Sequence, residues 1–414
     1  MKGMFVILDG VADEPCRVLN DKTPLDYAKT PNLDWISSRS KIGHCFPIAE
    51  GVAPQSSSGI VSLFGEDYKK ASRGTLEAVG TGITLKDGDL ALRCNFATID
   101  NLKDLNLIDR RAGRTLTTRE AKLLADAVNK HVKLPYSFEL VPTIGHRAVL
   151  VFRGVFSDKF SNVDPAYEDG VSIVSDNKIK WASQYEDSSA SKLSANLVNS
   201  FIQKSFVVLS NHEINLKRQK KGFFPANFLL CRDPGNKNIS FKKLVGNWAG
   251  FCYMPLEIGL GLSFNMAVKS FAYPELKDID SYASLSYALN LAIKNSTEFI
   301  TKFSKSHDYL YIHFKETDLP GHDNKPFEKV KLIEMLDKNF FSFLKEFINK
   351  TPCKILVTSD HTTSCRAKNH TAHPVPVLYY DSSKPTGMTH RFTEKDASIG
   401  KVYSGLRILK ETLF

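Results

Sequence analysis

KILVTSDHTTSCRAKNHTAHPVPV, residues 354–377, opens with a short apolar run, ILVTS, that stops on the adjacent pair Asp360 and His361. Two other runs stop in the same manner: MFVIL before Asp9, and YLYIHF before Lys315 with Asp318 close behind. Between these runs lie stretches whose apolar residues recur with a period near 3.6, from Ser281 to Phe303 and from Glu328 to Asn349. Strand-like runs alternating with helical stretches predict an α/β fold, a mostly parallel sheet covered by helices on both faces. In such sheets the polar residues just past the carboxyl ends of the strands face the ligand crevice. That rule groups Asp9, Asp318 and Asp360, which lie far apart in the chain.

The middle of the chain has another texture. Short strands (Asp89 to Thr98, His146 to Phe152), turn clusters such as SNVDPAYEDG at 161–170 and a helix around Thr117 to Val132 predict a smaller α+β domain. It would span 76–234 and be inserted into a core made of 1–75 and 235–414. No internal repeat or low-complexity segment interrupts either part.

At 414 residues, with 42% apolar and 24% charged side chains, the chain buries a sizeable core without disulfides. Its seven cysteines form no CxxC pair and their odd number rules out a fully paired framework, so a reducing compartment is expected. The five apolar residues before Asp9 are too few for a secretory segment, and Gly246 to Val268 is broken by Pro255, Glu257 and Asn265. A cytoplasmic protein without a membrane partner is the expectation. The net charge of +10 is scattered rather than gathered in an arm, which favours a small anionic metabolite over nucleic acid.

The residues richest in chemistry are Asp318 and His322 in TDLPGHD, Asp360 and His361 in TSDHTTSC, and His370 in NHTAHP. Carboxylates mixed with imidazoles suit zinc, manganese or a similar divalent ion rather than calcium, and the set is too large for one ion. GVAPQSSSGIVSLFG at 51–65 predicts a turn feeding a helix, where backbone N–H groups and the helix dipole favour a phosphate. A serine there, beside a divalent cation, ionises readily into a nucleophile. A third group is basic: Arg93, the DRRAGR stretch with Asp109, Arg110, Arg111 and Arg114, His146 and Arg147 in GHR, and Arg218 and Lys221 in NLKRQKKG. Guanidinium forks bind carboxylates and phosphates bidentately, so these are the candidate substrate-binding residues, with Lys217, Gln219 and Lys220 left to a solvated face. No GxGxxG, GxxxxGK[ST] or GxSxG is present, which argues against dinucleotide binding, P-loop transfer and the hydrolase elbow.

Taken together, ILDGVADEP, KTPLDYAKTPNLD, PQSSSGIVSLFGED, SRGTLEAVGTG, DRRAGR, GHRAVLVFRG, KGFFPAN, KETDLPGHD and TSDHTTSCRAKNHTAHPVPV resemble the archaeal-type, 2,3-bisphosphoglycerate-independent phosphoglycerate mutases of the alkaline phosphatase superfamily. The resemblance spans the chain from Asp9 onward. It implies an isomerase of glycolysis and gluconeogenesis that interconverts 2- and 3-phosphoglycerate through a phosphoserine, without 2,3-bisphosphoglycerate. It also implies two divalent ions, manganese, magnesium or a relative, with zinc or cobalt as options. By motif, Ser56 resembles the family nucleophile; Asp9, Ser56, Asp360 and His361 would hold one ion, and Asp318, His322 and His370 the other. His373 falls at a position that is no ligand in the family pattern.

The chain departs from that pattern in two places. Where the family usually reads Pro-Gly-Ser-Asp-Thr, it has Pro54, Gln55, Ser56, Ser57 and Ser58, so no carboxylate flanks the nucleophile and Ser57 is a rival. Around FKKLVGNWAG the family lysine has another register, with Lys242 and Lys243 as candidate replacements. The rival functions are a metal-dependent phosphomonoesterase or other phosphomutase on the same scaffold, and a non-catalytic metabolite-binding member.

Overall fold

The structure is a computed structural model describing residues 1–414 except 71, 169–170, 173–176, 275–280 and 388–389. The last two residues of the SNVDPAYEDG turn cluster therefore lie outside the described residues.

An eight-stranded sheet organises the larger part. Its order is Ala267–Lys269, Trp248–Phe251, Tyr309–Phe314, Gly3–Leu8, Lys354–Thr358, Val375–Asp381, Ser40–Phe46, Lys401–Ser404. The apolar runs MFVIL, YLYIHF and ILVT are its three central neighbours, paired in parallel. Only Val375–Asp381 runs against its neighbours, pairing antiparallel with Lys354–Thr358 and with Ser40–Phe46. Side-chain alternation along Gly3–Leu8 explains why the run is apolar throughout: Met4, Val6 and Leu8 enter one core cluster, Phe5 and Ile7 the other. Ser281–Phe303 and the Pro326–Lys350 region cover the first face; Ser56–Leu63 and Pro255–Ser263 cover the second.

The stretch expected as one helix over Glu328 to Asn349 is helical from Pro326 to Lys350 but widens into a π-helical turn at Leu336–Phe341. There Asp337 accepts from the backbone N–H of Leu33 (2.7 Å) and Asn32 (3.0 Å), satisfying free donors at the start of the helix Pro31–Ser37.

A second, antiparallel sheet is built from the middle of the chain. Leu90–Ile99 lies between Arg147–Phe152 and Phe228–Gly235, with Phe138–Pro142 outside the former. Thr118–His131 and Ser189–Ser210 pack on it around a separate apolar cluster that includes Phe96, Phe152, Phe201 and Leu124. Thr117 caps the first of these helices, its hydroxyl accepting from Glu120 N–H while the Glu120 side chain returns the bond to Thr117 N–H. The two parts meet at the carboxyl edge of the large sheet. There Arg114 forks onto Asp323 (2.8 and 2.9 Å), and Ile144 packs against the core cluster. Among the described residues no helix is long and apolar enough to cross a membrane.

Candidate active site

Each central strand ends on a residue with chemistry. Asp9 follows Gly3–Leu8, Lys315 and then Asp318 follow Tyr309–Phe314, and Asp360 and His361 follow Lys354–Thr358. The turn at Gly10 has φ +54°, and a Cβ there would fall 2.3 Å from Thr363 Oγ1, so glycine lets the loops of Asp9 and Asp360 close on one another. Gly10 N–H donates to Asp360 Oδ1 at 3.2 Å.

Two triads of possible ligands share His361: Asp9, Asp360 and His361, and Asp318, His361 and His370. His322 joins the second, its Nε2 being 3.2 Å from His370 Nε2 and 3.4 Å from Asp318 Oδ1. The imidazole tautomers follow from the partners. His322 Nδ1 faces the Lys368 carbonyl (3.1 Å) and His370 Nδ1 the Pro54 carbonyl (2.7 Å), and a carbonyl only accepts, so both Nδ1 atoms carry the proton. Thr363 has a single hydroxyl proton, which goes to Asp318 Oδ1 (2.7 Å), so its oxygen accepts from His361 Nδ1–H (2.9 Å). All three Nε2 atoms therefore present lone pairs. They point at carboxylate oxygens and at each other, with Asp9 Oδ1 and Asp360 Oδ2 lacking any hydrogen bond. Apart from the Ser56 hydroxyl beside His361, the acceptors converge without a donor, which favours cations, and the chemistry of the ligand set fits two divalent ions.

The charges say the same. Burial pushes the Asp9 carboxyl up, but the Lys315 ammonium and then the hydrogen bond from His313 outweigh it and hold Asp9 well below the usual range. Burial, then the charge of Asp9, pushes Asp360 well above it. Burial and the neighbouring His361 lower His370 to about 4, so this imidazole is neutral and available as a ligand near neutral pH.

Ser56 opens the helix Ser56–Leu63, and its Oγ lies 3.2 Å from His361 Nε2. Ser58 is taken up in capping, accepting from Gln55 N–H at 3.0 Å, and among the described residues no hydrogen bond ties Ser57 to the ligand cluster. The helix can approach because residue 59 is glycine: a Cβ there would meet the Asp360 carbonyl at 2.2 Å.

The basic residues divide. Arg93, Arg111, Arg114 and Arg147 surround His146, whose ring is driven well below its ordinary value by burial and then by those charges. Arg93 is buried and meets Glu77 at 3.0 Å; Glu77, despite its burial, is held at about 2 by Arg93, Arg73 and Arg147. The field of Arg147 also reaches Tyr273, which shares a hydrogen bond with Glu316. Three other candidates are engaged elsewhere, and a fourth is exposed. Asp109 accepts from the N–H groups of Arg111 and Gly113, shaping the loop. Arg110 forks onto the buried Asp164. Arg218 is buried and donates to the carbonyls of Ala112, Thr115 and Phe224, bracing that loop from behind. Lys221 is exposed at the end of Glu213–Lys220.

Three residues beside the cluster were not anticipated: His313, Glu257 and Lys315. His313 Nε2 donates to Asp9 Oδ2 (3.0 Å), and Lys315 bridges Asp9 Oδ2 and Glu257 Oε1. Lys242 and Lys243 are exposed, whereas Lys315 touches Asp9 of the cluster. The available signals were a histidine inside the apolar YLYIHF run and a lysine directly after it. His373 is exposed, with Nδ1 on the Thr371 hydroxyl.

Comparison with known proteins points to one family. Residues 37–215 match the family model of 2,3-bisphosphoglycerate-independent phosphoglycerate mutase. The curated protein of that name from Thermococcus kodakarensis is 35% identical over 403 residues, 97% of this chain and 93% of the relative. Among solved structures, a Pyrococcus horikoshii protein superposes with a TM-score of 0.75 at 27% identity, covering 100% of this chain and 96% of that one. The cofactor-independent phosphoglycerate mutase from Thermoplasma acidophilum superposes with a TM-score of 0.60, also at 27% identity, covering 100% and 99%.

Proposed function

The chain belongs to the 2,3-bisphosphoglycerate-independent phosphoglycerate mutases, enzymes that interconvert 2- and 3-phosphoglycerate, and on that premise we propose that it works through a phosphoserine at Ser56 beside two divalent cations. The observation that carries this reading is the convergence of Asp9 Oδ1, Asp360 Oδ2 and three Nε2 lone pairs with no donor among them. Asp9, Ser56, Asp360 and His361 would hold one ion; Asp318, His322 and His370 would hold the other. Manganese or magnesium suits the carboxylates, zinc or cobalt the imidazoles. Bound there, the ions supply Lewis acidity that favours the Ser56 alkoxide and neutralises the phosphate.

The chain's own residues do the rest. Ser56 Oγ attacks phosphorus in line and glycerate leaves, the helix N-terminus behind Ser56 favouring the anion. Arg93, Arg111 and Arg147, in the domain proposed to span 76–234, hold the glycerate carboxylate while the molecule turns. Its other hydroxyl then attacks the phosphoserine. The Arg114–Asp323 fork and the packing of Ile144 keep the cleft shut and water out during the turn.

The test is an assay of purified protein on 3-phosphoglycerate with added manganese, following isomer and free phosphate together. Isomer should form, chelation should abolish it, and full activity in metal-free protein would overturn the metal assignment. Radiolabelled phosphate should be trapped on wild-type protein and on Ser57→Ala, but not on Ser56→Ala. A label mapped to Ser57 or Ser58 would refute the assignment to Ser56.

A further inference from the structure

The two oxygens of Asp9 serve different pockets. Oδ1 joins Asp360 Oδ2 and His361 Nε2, while Oδ2 turns to a second group formed with Glu257 and His313. The potential ligand atoms of Asp9, Glu257 and His313 all lie within 4.8 Å of one another, and none of these residues is more than 1% exposed. Neither oxygen of Glu257 receives a hydrogen bond. A buried carboxylate in that condition needs a positive charge. The group is nonetheless not a ready metal site. Oδ2 of Asp9 can only accept, so His313 Nε2 carries the proton and Nδ1 accepts from the Tyr311 hydroxyl at 2.8 Å. The charge present is the Lys315 ammonium, in contact with Asp9 Oδ2 and 3.0 Å from Glu257 Oε1.

We propose that Lys315 is a built-in third cation: its ammonium fills a pocket that Asp9 and Glu257 would otherwise offer to a third divalent ion, and it fixes Asp9 with Oδ1 turned toward the metal pair. The inference rests on the two-metal reading above. It makes Lys315 a positioning residue acting through Asp9. The side chain spares the enzyme a third site whose occupancy would vary with ion supply.

The experiment is equilibrium dialysis of the full chain against manganese without substrate, with elemental analysis and circular dichroism to confirm folding. Wild-type protein should hold two ions, and fewer would overturn the metal reading itself. The difference between variants tests the inference separately. Lys315→Met should take up a third ion, Lys315→Arg should hold two, and the double variant Lys315→Met with Glu257→Gln should return to two. Lys315→Met holding two ions at wild-type affinity would overturn the proposal. Should Lys315→Met not fold, Glu257→Gln alone decides. It leaves the ammonium uncompensated beside Asp9, so the first manganese should bind about tenfold or more weakly, and unchanged affinity would overturn the proposal.

Discussion

A single proton on Thr363 orders the site. Its donation to Asp318 Oδ1 forces the oxygen to accept from His361, which turns the His361 lone pair toward Ser56, Asp9 and Asp360. Thr363→Val keeps the shape and removes both bonds, leaving the ring free to adopt the other tautomer. Outer partners of metal-bound imidazoles are worth about 10–100-fold in affinity, so manganese binding should weaken by that factor in a dialysis titration. Unchanged affinity would mean that the cluster orients itself without the hydroxyl. Glu394 offers a residue-scale test on stability. Its carboxylate accepts from Asp13 N–H and the Thr23 hydroxyl, yet burial pushes it from 4.5 up to about 7. Between those values the folded protein binds more protons than the unfolded chain, so this group's contribution falls as pH rises through 7. Glu394→Gln should melt above wild type at pH 8, with the gap closing toward pH 5. A gap that is constant or widens at low pH would contradict the shift.

At the scale of elements, the decisive contacts are backbone against backbone. The helix Ser56–Leu63 presses Gly59 onto the Asp360 carbonyl, so the proposed nucleophile and a proposed ligand loop are set by one close approach. Gly59→Ala must move the helix. Overpacking of this kind costs about 1–3 kcal/mol of stability, while a shift near 1 Å costs on the order of 100-fold in rate. Phosphoenzyme yield should therefore fall far more than the melting temperature, and wild-type turnover in this variant would show that the helix has slack. The same scale explains what the sequence disclosed. Strands that run apolar and then stop on aspartate were readable because burial on both faces of a parallel sheet leaves few other patterns, and DRRAGR and GHR stood out as charge. Glu257, His313 and Lys315 did not stand out as a group, since a glutamate in an apolar stretch, a histidine inside a strand and a lysine after it carry no local sign of one another. Their role comes from pairing across the sheet, where Trp248–Phe251, Tyr309–Phe314 and Gly3–Leu8 are neighbours. Lys329 is a parallel case: fully buried, it donates to Asp13 (2.9 Å) and to the carbonyls of Ala12 and Thr363, joining the loops that follow Asp9 and Asp360. Arg218 misled in the other direction, because a guanidinium in a basic stretch gives no hint that the fold consumes its donors.

For the molecule as a whole, the question is how glycerate stays while phosphate is on the serine. The ligand cluster belongs to one sheet and the arginines to the other, and the two are joined over the cleft by the fork of Arg114 on Asp323, with Tyr282 donating to the same carboxylate at 2.7 Å. Arg147 lies at the start of Arg147–Phe152, opposite Asn95 on the strand that carries Arg93, and its charge is felt at Glu77, His146 and Tyr273. The proposed mechanism gives it the glycerate carboxylate. Arg147→Ala should leave manganese binding intact and let glycerate escape from the phosphoserine, making water the acceptor. A charged hydrogen bond is worth about 1.5–3 kcal/mol, so the ratio of free phosphate to isomer should rise roughly ten- to a hundredfold. The ratio, not the rate, is the informative quantity: loss of a fold-supporting residue lowers both products together, whereas loss of the glycerate anchor exchanges one for the other. A flat ratio with both activities reduced would move Arg147 from the substrate to the scaffold. Arg93 and Arg111 would then be left as the anchors, the buried Arg93 Nε–H having no acceptor among the described residues.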